Sequence, residues 1–250
     1  MPNPHDVGSA CLLQSLGFSA LATTSSGYAA SLGRMDMDVT RDELVAHVFQ
    51  LTSALNVPLN VDAEQCFPNS SGGIVETITQ LAQAGASGIS LEDWNPDSGD
   101  YESLELSVER IQLAAIACDG YGITLTARAE NHIRGRNNLD DTIARLTAFC
   151  AAGAHAVYAP GLATLGDITQ VATQVPSPLN VLLLPGGPTV DQLASVGVRR
   201  ISVGSLLSYI SYGALVFAAT SLRDEGHLPM EATYLAGPVA HAAFRPRAAT

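Results

Sequence analysis

The stretch AGASGISLED, Ala84–Asp93, closes a helix, runs through a short β-rich segment and finishes on two acids. Gly85 suits the left-handed C′ position that ends a helix. The same order recurs in LGFSALATTS (Leu16–Ser25), AGAHAVYAPG (Ala152–Gly161) and VGVRRISVGS (Val196–Ser205). The intervals from Gly17 to Gly85 and from Gly85 to Gly153 are both 68 residues. One βα unit of an eight-fold barrel takes roughly 30–35 residues, so each interval holds about two units, a loose internal repeat. Between these lie three more strand-like runs: VPLNVDAE (Val57–Glu64), GITLTARAE (Gly122–Glu130) and PLNVLLLPGG (Pro178–Gly187).

The helices between the strands are legible. Thr40 and Glu43 form a T-x-x-E capping box ahead of LVAHVFQLTSAL. Asn138 caps LDDTIARLTAFCAAG, in which Ile143, Leu146, Phe149 and Cys150 share a face. SVERIQLAAIA offers a broader apolar face of Val108, Ile111, Leu113, Ala115 and Ile116. Alternation of strands and helices implies parallel pairing with right-handed crossovers. The expected fold is therefore α/β, a (β/α)8 TIM-type barrel. Seven strands can be counted, from Ser19–Thr23 to Ile201–Gly204, with a helix, Val7–Leu16, before the first. A closed barrel needs a strand ahead of that helix, and MPNP is long enough only for its end. The first strand is thus expected to be truncated or supplied by residues outside this chain. The alternative is an open doubly wound sheet. Residues 1–226 are expected to form the barrel, and Pro/Ala-rich residues 227–250 a C-terminal helical tail or oligomer contact.

Composition narrows the function. The 250 residues are 47% hydrophobic and 14% charged, enough for one large core, and the net charge is −12 with a pI near 4.7. So acidic a surface repels nucleic-acid phosphates and anionic lipid, and neither is expected as a partner; a divalent cation is favoured instead. Cys11, Cys66, Cys118 and Cys150 form no CxxC pair, which gives neither a zinc signature nor a disulfide framework and fits a reducing cytoplasm. No apolar run reaches transmembrane length, and the first residues do not read as a signal peptide.

Chemistry in such barrels sits at the C-terminal strand ends. The polar residues there are Thr24, Ser25 and Ser26, then Asp62 and Glu64, then Glu92 and Asp93, then Arg128, Glu130 and Asn131. Strand alternation sends Asp62 and Glu64 to one side. If that side is the mouth, the pair repels unless a cation or proton lies between them, and oxygen-ligated Mg²⁺ needs only one or two direct carboxylates. Alternatively, Asp62 caps the next helix and Glu64 is a solvated loop acid. Glu92 on the neighbouring strand, with Arg128 beyond it, favours the metal reading.

With these residues the chain resembles the isocitrate lyase/phosphoenolpyruvate mutase superfamily, in particular its mutase-like branch. The matching pieces are NPHDVGSACLLQSLGFSALATTSSGYAASLGRMD, VPLNVDAEQCF, AGASGISLED, LTARAEN and AGAHAVYAPG, covering most of residues 3–161 in order. The resemblance implies that Asp62 is the direct ligand of Mg²⁺ (or Mn²⁺) and that Glu64 and Glu92 hold metal-bound waters with help from Asp36. It implies that Thr24, Ser25 and Ser26 bind a substrate carboxylate, and that Arg128 contacts that carboxylate or the oxygen where charge develops. Asn131, at the same strand end, is taken with Arg128 as a substrate contact, and Arg128 and Asp36 as the catalytic pair. The implied chemistry passes through a Mg²⁺-stabilised enolate of a pyruvate-like unit. The implied assembly is a homodimer or homotetramer with a swapped terminal helix.

The match also departs from the family pattern. The lyase branch carries a lysine–cysteine–glycine–histidine signature after the fourth strand, and here EDWNPDSGDYES has no Lys, Cys or His. The mutase branch carries a Lys-Asn-Ser gating loop and a later histidine; here Asn95 and Ser98 stand without the lysine, and Pro160 replaces the histidine. What survives is metal and 2-oxo acid binding. The expectation is a Mg²⁺-dependent lyase that cleaves or decarboxylates a small 2-oxo or 2-hydroxy acid. The alternatives are P–C chemistry of the mutase or phosphonopyruvate hydrolase type, and a non-catalytic 2-oxo acid binder. A phosphate site in LPGGPT and SVGS is a further reading, although neither loop has a Lys or Arg and only Arg199 and Arg200 precede the last strand. His5 with Asp6, His132, Trp94 and Tyr158 are secondary candidates near the mouth.

Overall fold

The structure, a computed structural model, describes residues 1–244. Helix α1 (Val7–Ser15) leads into β1 (Leu21–Ala22), α2 (Ser25–Ser31) and α3 (Arg41–Ala54). Next come β2 (Leu59–Asp62), α4 (Gly73–Gln83), β3 (Gly88–Glu92) and a hairpin of β4 (Trp94–Asn95) with β5 (Asp100–Tyr101). The alternation continues through α5 (Leu104–Tyr121), β6 (Thr124–Arg128), α6 (Leu139–Ala151), β7 (Ala156–Tyr158) and α7 (Leu165–Gln174). It closes with β8 (Leu179–Leu182), α8 (Val190–Ser195) and β9 (Arg200–Ser202), then α9 (Leu206–Glu225) and α10 (Gly237–Phe244).

The seven main strands are all parallel and run β1-β2-β3-β6-β7-β8-β9 in chain order. A doubly wound sheet reverses its strand order, and this one does not. It is a nearly closed barrel, and the gap between β1 and β9 is bridged by the first three residues. Ala22 N donates to Pro2 O at 3.1 Å, and the Met1 amine donates to Ile201 O at 2.6 Å. The Asn3 amide donates to Thr23 O at 2.8 Å, and its Oδ1 accepts from Val203 N and Gly204 N at 2.9 and 3.0 Å. Residues 1–3 thus occupy the position between β1 and β9 that the eighth strand of a closed barrel would fill.

Gly17, Gly85, Gly153 and Gly197 have φ of 92°, 95°, 105° and 92°, the left-handed geometry the repeat implied. The caps form as read: Thr40 with Glu43 at α3, and Asn138 Oδ1 accepting from Asp141 N at 3.1 Å at α6. Asp6 caps α1, accepting from Ser9 N at 2.7 Å. On α6, Leu146 and Phe149 are fully buried. On α5 the expected face is wrong in part. Ile111 and Ala115 are buried, but Leu113 and Ile116 are exposed, and Ser107, Ala114 and Cys118 complete the inner stripe. The helix carries apolar residues all round, so composition alone did not fix its rotation. In the tail, α10 packs on α1; residues 245–250 of the expected tail lie outside the described residues.

His47 on α3 stacks on Tyr28 of α2 at 3.7 Å between ring centroids and is buried. Burial pulls its imidazolium down from 6.5 to about 4. The unfolded chain therefore binds a proton the folded chain refuses between those values. Stability from this group is present above pH 6.5 and is lost as pH falls through about 4, by up to about 3 kcal/mol. Urea unfolding across that range is expected to show a steeper acid loss in the parent than in His47→Gln.

Candidate active site

The mouth of the barrel collects the strand ends around a cavity of about 300 Å³. At its centre lies Arg128, the last residue of β6. Arg128 Nη1 donates to Asp62 Oδ1 at 2.6 Å, and Nη2 lies 3.1 Å from Glu92 Oε2 and 2.9 Å from Glu130 Oε1. Nε donates to Glu130 Oε1 at 3.0 Å. One guanidinium is thus shared by three carboxylates from three strand ends. Burial alone would pull it down, but Glu130, Asp62 and Glu92 more than offset that and hold it well above its ordinary value.

Each partner is fixed in turn. Asp62 N donates to Thr23 Oγ1 at 2.8 Å, while Asp62 Oδ2 accepts from Ser25 N and Ser25 Oγ, both at 3.3 Å. Thr24 is the N-cap of α2, its hydroxyl accepting from Gly27 N at 3.3 Å. Gly27 is required there, because a Cβ would lie 2.5 Å from Thr24 Cγ2 and 3.3 Å from Ser208 Cβ of α9. Ser26 Oγ shares a hydrogen bond with Tyr209 Oη at 3.2 Å, which ties this turn to α9. Thr24, Ser25 and Ser26 all line the cavity, as do Asp36, Asp62 and Arg128.

Glu64 reaches the group by a route the sequence did not show. Strand β2 ends at Asp62, and Glu64 has φ of 53°, so a left-handed turn places it rather than strand alternation. Its carboxyl is pushed up to about 8, chiefly by burial and then by Asp62 and Asp36, against Arg128 and a hydrogen bond from the Met37 N–H. Glu92 is raised well above the usual range by burial and by Glu130. Asp36 is raised by its surroundings and by Asp62, against a hydrogen bond from Ser25. Glu64 Oε1 and Glu92 Oε1 are buried without a hydrogen-bond partner. Five carboxyls therefore gather around one buried guanidinium, with two oxygens unsatisfied. A hard cation suits such a donor set. Among the described residues, no three His, Cys, Asp or Glu side chains close on one point to cage a metal ion. Carboxylate oxygens of this kind are the donors Mg²⁺ takes, and it needs only one or two of them directly.

Asn131 departs from its expected place. It is fully buried, and its amide donates to Thr142 Oγ1 at 2.7 Å and to Asn138 O at 3.3 Å. It fastens the loop between β6 and α6 and does not line the cavity. Trp94 opens the β4–β5 hairpin under Arg134, 4.1 Å from Cζ to the ring centroid, away from the cavity. His132 also stays out of the cavity, and its neighbour Ile133 lines it. Tyr158 is buried under Arg128, 5.4 Å from Cζ to its ring centroid, and its hydroxyl bonds Ser202. The loop after β8 borders a separate hollow lined by Leu162, Val181, Pro185 and Gly187, with no cation in its wall. That is no phosphate cradle.

Three further residues take part: Glu130 and Asp93, which the sequence placed at strand ends without a role, and Arg145 of α6, which it did not mark. Glu130 completes the Arg128 cluster. Asp93 Oδ1 accepts from Glu130 N at 2.9 Å, and Asp93 Oδ2 accepts from Arg145 Nη1 at 3.0 Å, so a buried pair locks the tips of β3 and β6 together. Burial, opposed by these bonds, leaves Asp93 raised to about 6.

A sequence model of the phosphoenolpyruvate phosphomutase family matches residues 1–223. A crystal structure of a protein from Burkholderia cenocepacia J2315, proposed to be a lyase or mutase, superposes with a TM-score of 0.91 at 40% identity, covering 98% of this chain and 90% of that one. 2-Methylisocitrate lyase of Escherichia coli K12 is 29% identical over 203 residues, 76% of this chain and 68% of its own. Oxaloacetate decarboxylase of Paraburkholderia xenovorans LB400 is 29% identical over 215 residues, 82% of this chain and 70% of its own.

Proposed function

Because the chain belongs to the phosphoenolpyruvate phosphomutase family, within the isocitrate lyase/phosphoenolpyruvate mutase superfamily, we propose that it is a Mg²⁺-dependent lyase that cleaves a C–C bond, or decarboxylates, a small 2-oxo or 2-hydroxy acid. Its relatives include lyases and a decarboxylase, and lyase or mutase chemistry is the class they share. The observation that carries the reading is Arg128 held by Asp62, Glu92 and Glu130 at the mouth of the cavity.

Asp62, with Glu64, Glu92 and Asp36 around it, would hold the metal, which when bound supplies Lewis-acid stabilisation of charge on a keto oxygen. Thr24, Ser25 and Ser26 present hydroxyls and backbone N–H groups to a substrate carboxylate. Arg128 lies where negative charge develops on the keto oxygen, and its three carboxylate partners prevent it from swinging away. Such pre-organised donors contribute most when charge forms in a site shielded from water. The hairpin after β3 holds no Lys, Cys or His, and its Asn95 donates to Glu102 Oε1 at 2.9 Å and caps the turn through Asp97 N. Decarboxylation and retro-aldol cleavage ask little more than an electron sink, which favours them over reactions needing a proton donor in that loop.

The four free thiols support a cytoplasmic location, and no helix among the described residues is long and apolar enough to cross a membrane. Ile210, Leu215, Val216 and Phe217, exposed on α9, support assembly into a homodimer or homotetramer.

The test is a panel of oxaloacetate, phosphonopyruvate, phosphoenolpyruvate, isocitrate, methylisocitrate and dimethylmalate with Mg²⁺, followed by proton and phosphorus NMR with an EDTA control. EDTA-sensitive loss of a carboxylic acid is expected. Release of phosphate, or isomerisation of a phosphonate, would move the protein to P–C chemistry. Acid binding without turnover would make it a binder, and absence of both Mg²⁺ and acid binding would overturn the reading.

A further inference from the structure

The floor of the same cavity is built differently from its mouth. Arg200, the first residue of β9, points into the barrel and lines the cavity. Its Nη2 donates to Thr126 Oγ1 at 2.7 Å and its Nε to Asn180 Oδ1 at 3.1 Å. Around it Asn180 Nδ2 donates to Ser202 Oγ at 3.0 Å, and Asn60 Nδ2 to Ser90 Oγ at 2.9 Å. Barrel interiors are usually filled by bulky branched apolar side chains. Here a polar layer leaves room at the centre.

Arg200 is also unlike the other enclosed arginines. Arg128 and Arg145 each sit against two or more carboxylates, and Arg110 sits 3.0 Å from Glu102. Among the described residues, no carboxylate lies within 4.0 Å of Arg200. Its bonds go to a hydroxyl and an amide oxygen, both neutral. Burial pulls its guanidinium down to about 10, as expected for a charge without an anion beside it. A charge in that position is costly unless something compensates it. The acidic mouth and the uncompensated cation at the floor make the cavity bipolar, with Tyr158 between Arg128 and Arg200.

We infer that Arg200, with Thr126 and Asn180 holding it, is a second anion subsite that takes the distal carboxylate of a dicarboxylic substrate. The inference deepens the proposed function and rests on it for the end of the substrate that reacts. A 2-oxo diacid lies with its 2-oxo acid end at Arg128 and Asp62 and its far carboxylate on the guanidinium of Arg200. Arg200 then sets specificity: it selects diacids over pyruvate-sized monoacids.

Calorimetric titration with Mg²⁺ present tests this, using pyruvate, 2-oxoglutarate, malate, lactate and succinate against the parent, Arg200→Met, Arg200→Lys and Asp62→Ala. The parent is expected to bind the diacids about 10- to 100-fold more tightly than the monoacids, the worth of one charge-assisted pair. Arg200→Met is expected to erase that difference and leave pyruvate and lactate unchanged, and Arg200→Lys to restore part of it. Succinate, which has no 2-oxo group, is expected to depend on Arg200 and not on Asp62. If Arg200→Met and Arg200→Lys both bind every acid as the parent does, or both weaken monoacids and diacids alike, the subsite is overturned. If pyruvate fails to bind the parent while succinate still binds through Arg200, the enolate reading fails and the anion subsite stands.

Discussion

Replacing Arg128 with methionine is expected to lower kcat/KM on the substrate the panel identifies by about a thousandfold or more, the scale of losing a pre-organised donor to a developing oxyanion. The same change is expected to cost stability. It strips the compensating charge from Asp62, Glu92 and Glu130, of which Glu92 and Glu130 are almost fully buried. Breaking a buried pair from one side typically costs about 3–5 kcal/mol, and proton uptake by Glu92 lowers that figure. The two effects separate in the double variant Arg128→Met/Glu130→Gln, which removes a stranded charge along with the arginine. Its urea midpoint should recover while its turnover does not. Arg128→Lys keeps a positive charge but cannot span three carboxylates with a planar fork, so it should fall between parent and methionine in both readouts. Full turnover in Arg128→Met would remove this residue from the chemistry.

The Arg128 cluster also shows how far the sequence could be read. Gly17, Gly85 and Gly153 marked the repeat because a left-handed backbone position restricts residue choice strongly, and that restriction leaves a trace in the string. Asp62, Glu92 and Arg128 were legible because strand ends in a barrel converge on one mouth whatever the details of packing. Glu130 appeared as a strand-end acid without a role, because only the three-dimensional register brings it onto Arg128. Glu64 was placed at the mouth for an incorrect reason: alternation holds only while the strand continues, and the turn that positions it has no sequence signature of its own. Asn131 looked like a substrate contact from its position, yet Thr142 eleven residues later claims its amide. The inward direction of Arg200 was invisible too. An arginine at the start of a strand reads as a surface residue until the neighbouring Asn180 and Thr126 are seen to receive it.

Asp62→Asn is expected to abolish Mg²⁺-dependent turnover with little loss of fold. Asp62 occupies the point where the two halves of the site meet, one oxygen on Arg128 and the other on the Ser25 N–H and hydroxyl. The amide is nearly isosteric, but it offers one acceptor in place of two and carries no charge for a hard cation. The change should also be visible without substrate. Glu64 is raised from 4.5 to about 8, with Asp62 as the largest charge responsible after burial. A carboxyl raised on folding contributes stability that is fully present below pH 4.5 and is lost as pH rises through about 8, because the folded chain keeps a proton the unfolded chain has released. Without metal the parent is therefore expected to lose thermal stability from this group across that window. Mg²⁺ should restore it increasingly as pH rises, since the cation no longer competes with the proton. In Asp62→Asn the neighbouring charge is gone, so Glu64 ionises at lower pH, the alkaline loss shrinks, and added Mg²⁺ should no longer raise Tm. Melting curves over that pH range, with and without Mg²⁺, check all three effects. A parent whose Tm ignores Mg²⁺ at every pH would mean that the carboxyls at the mouth are held by protons and Arg128 alone.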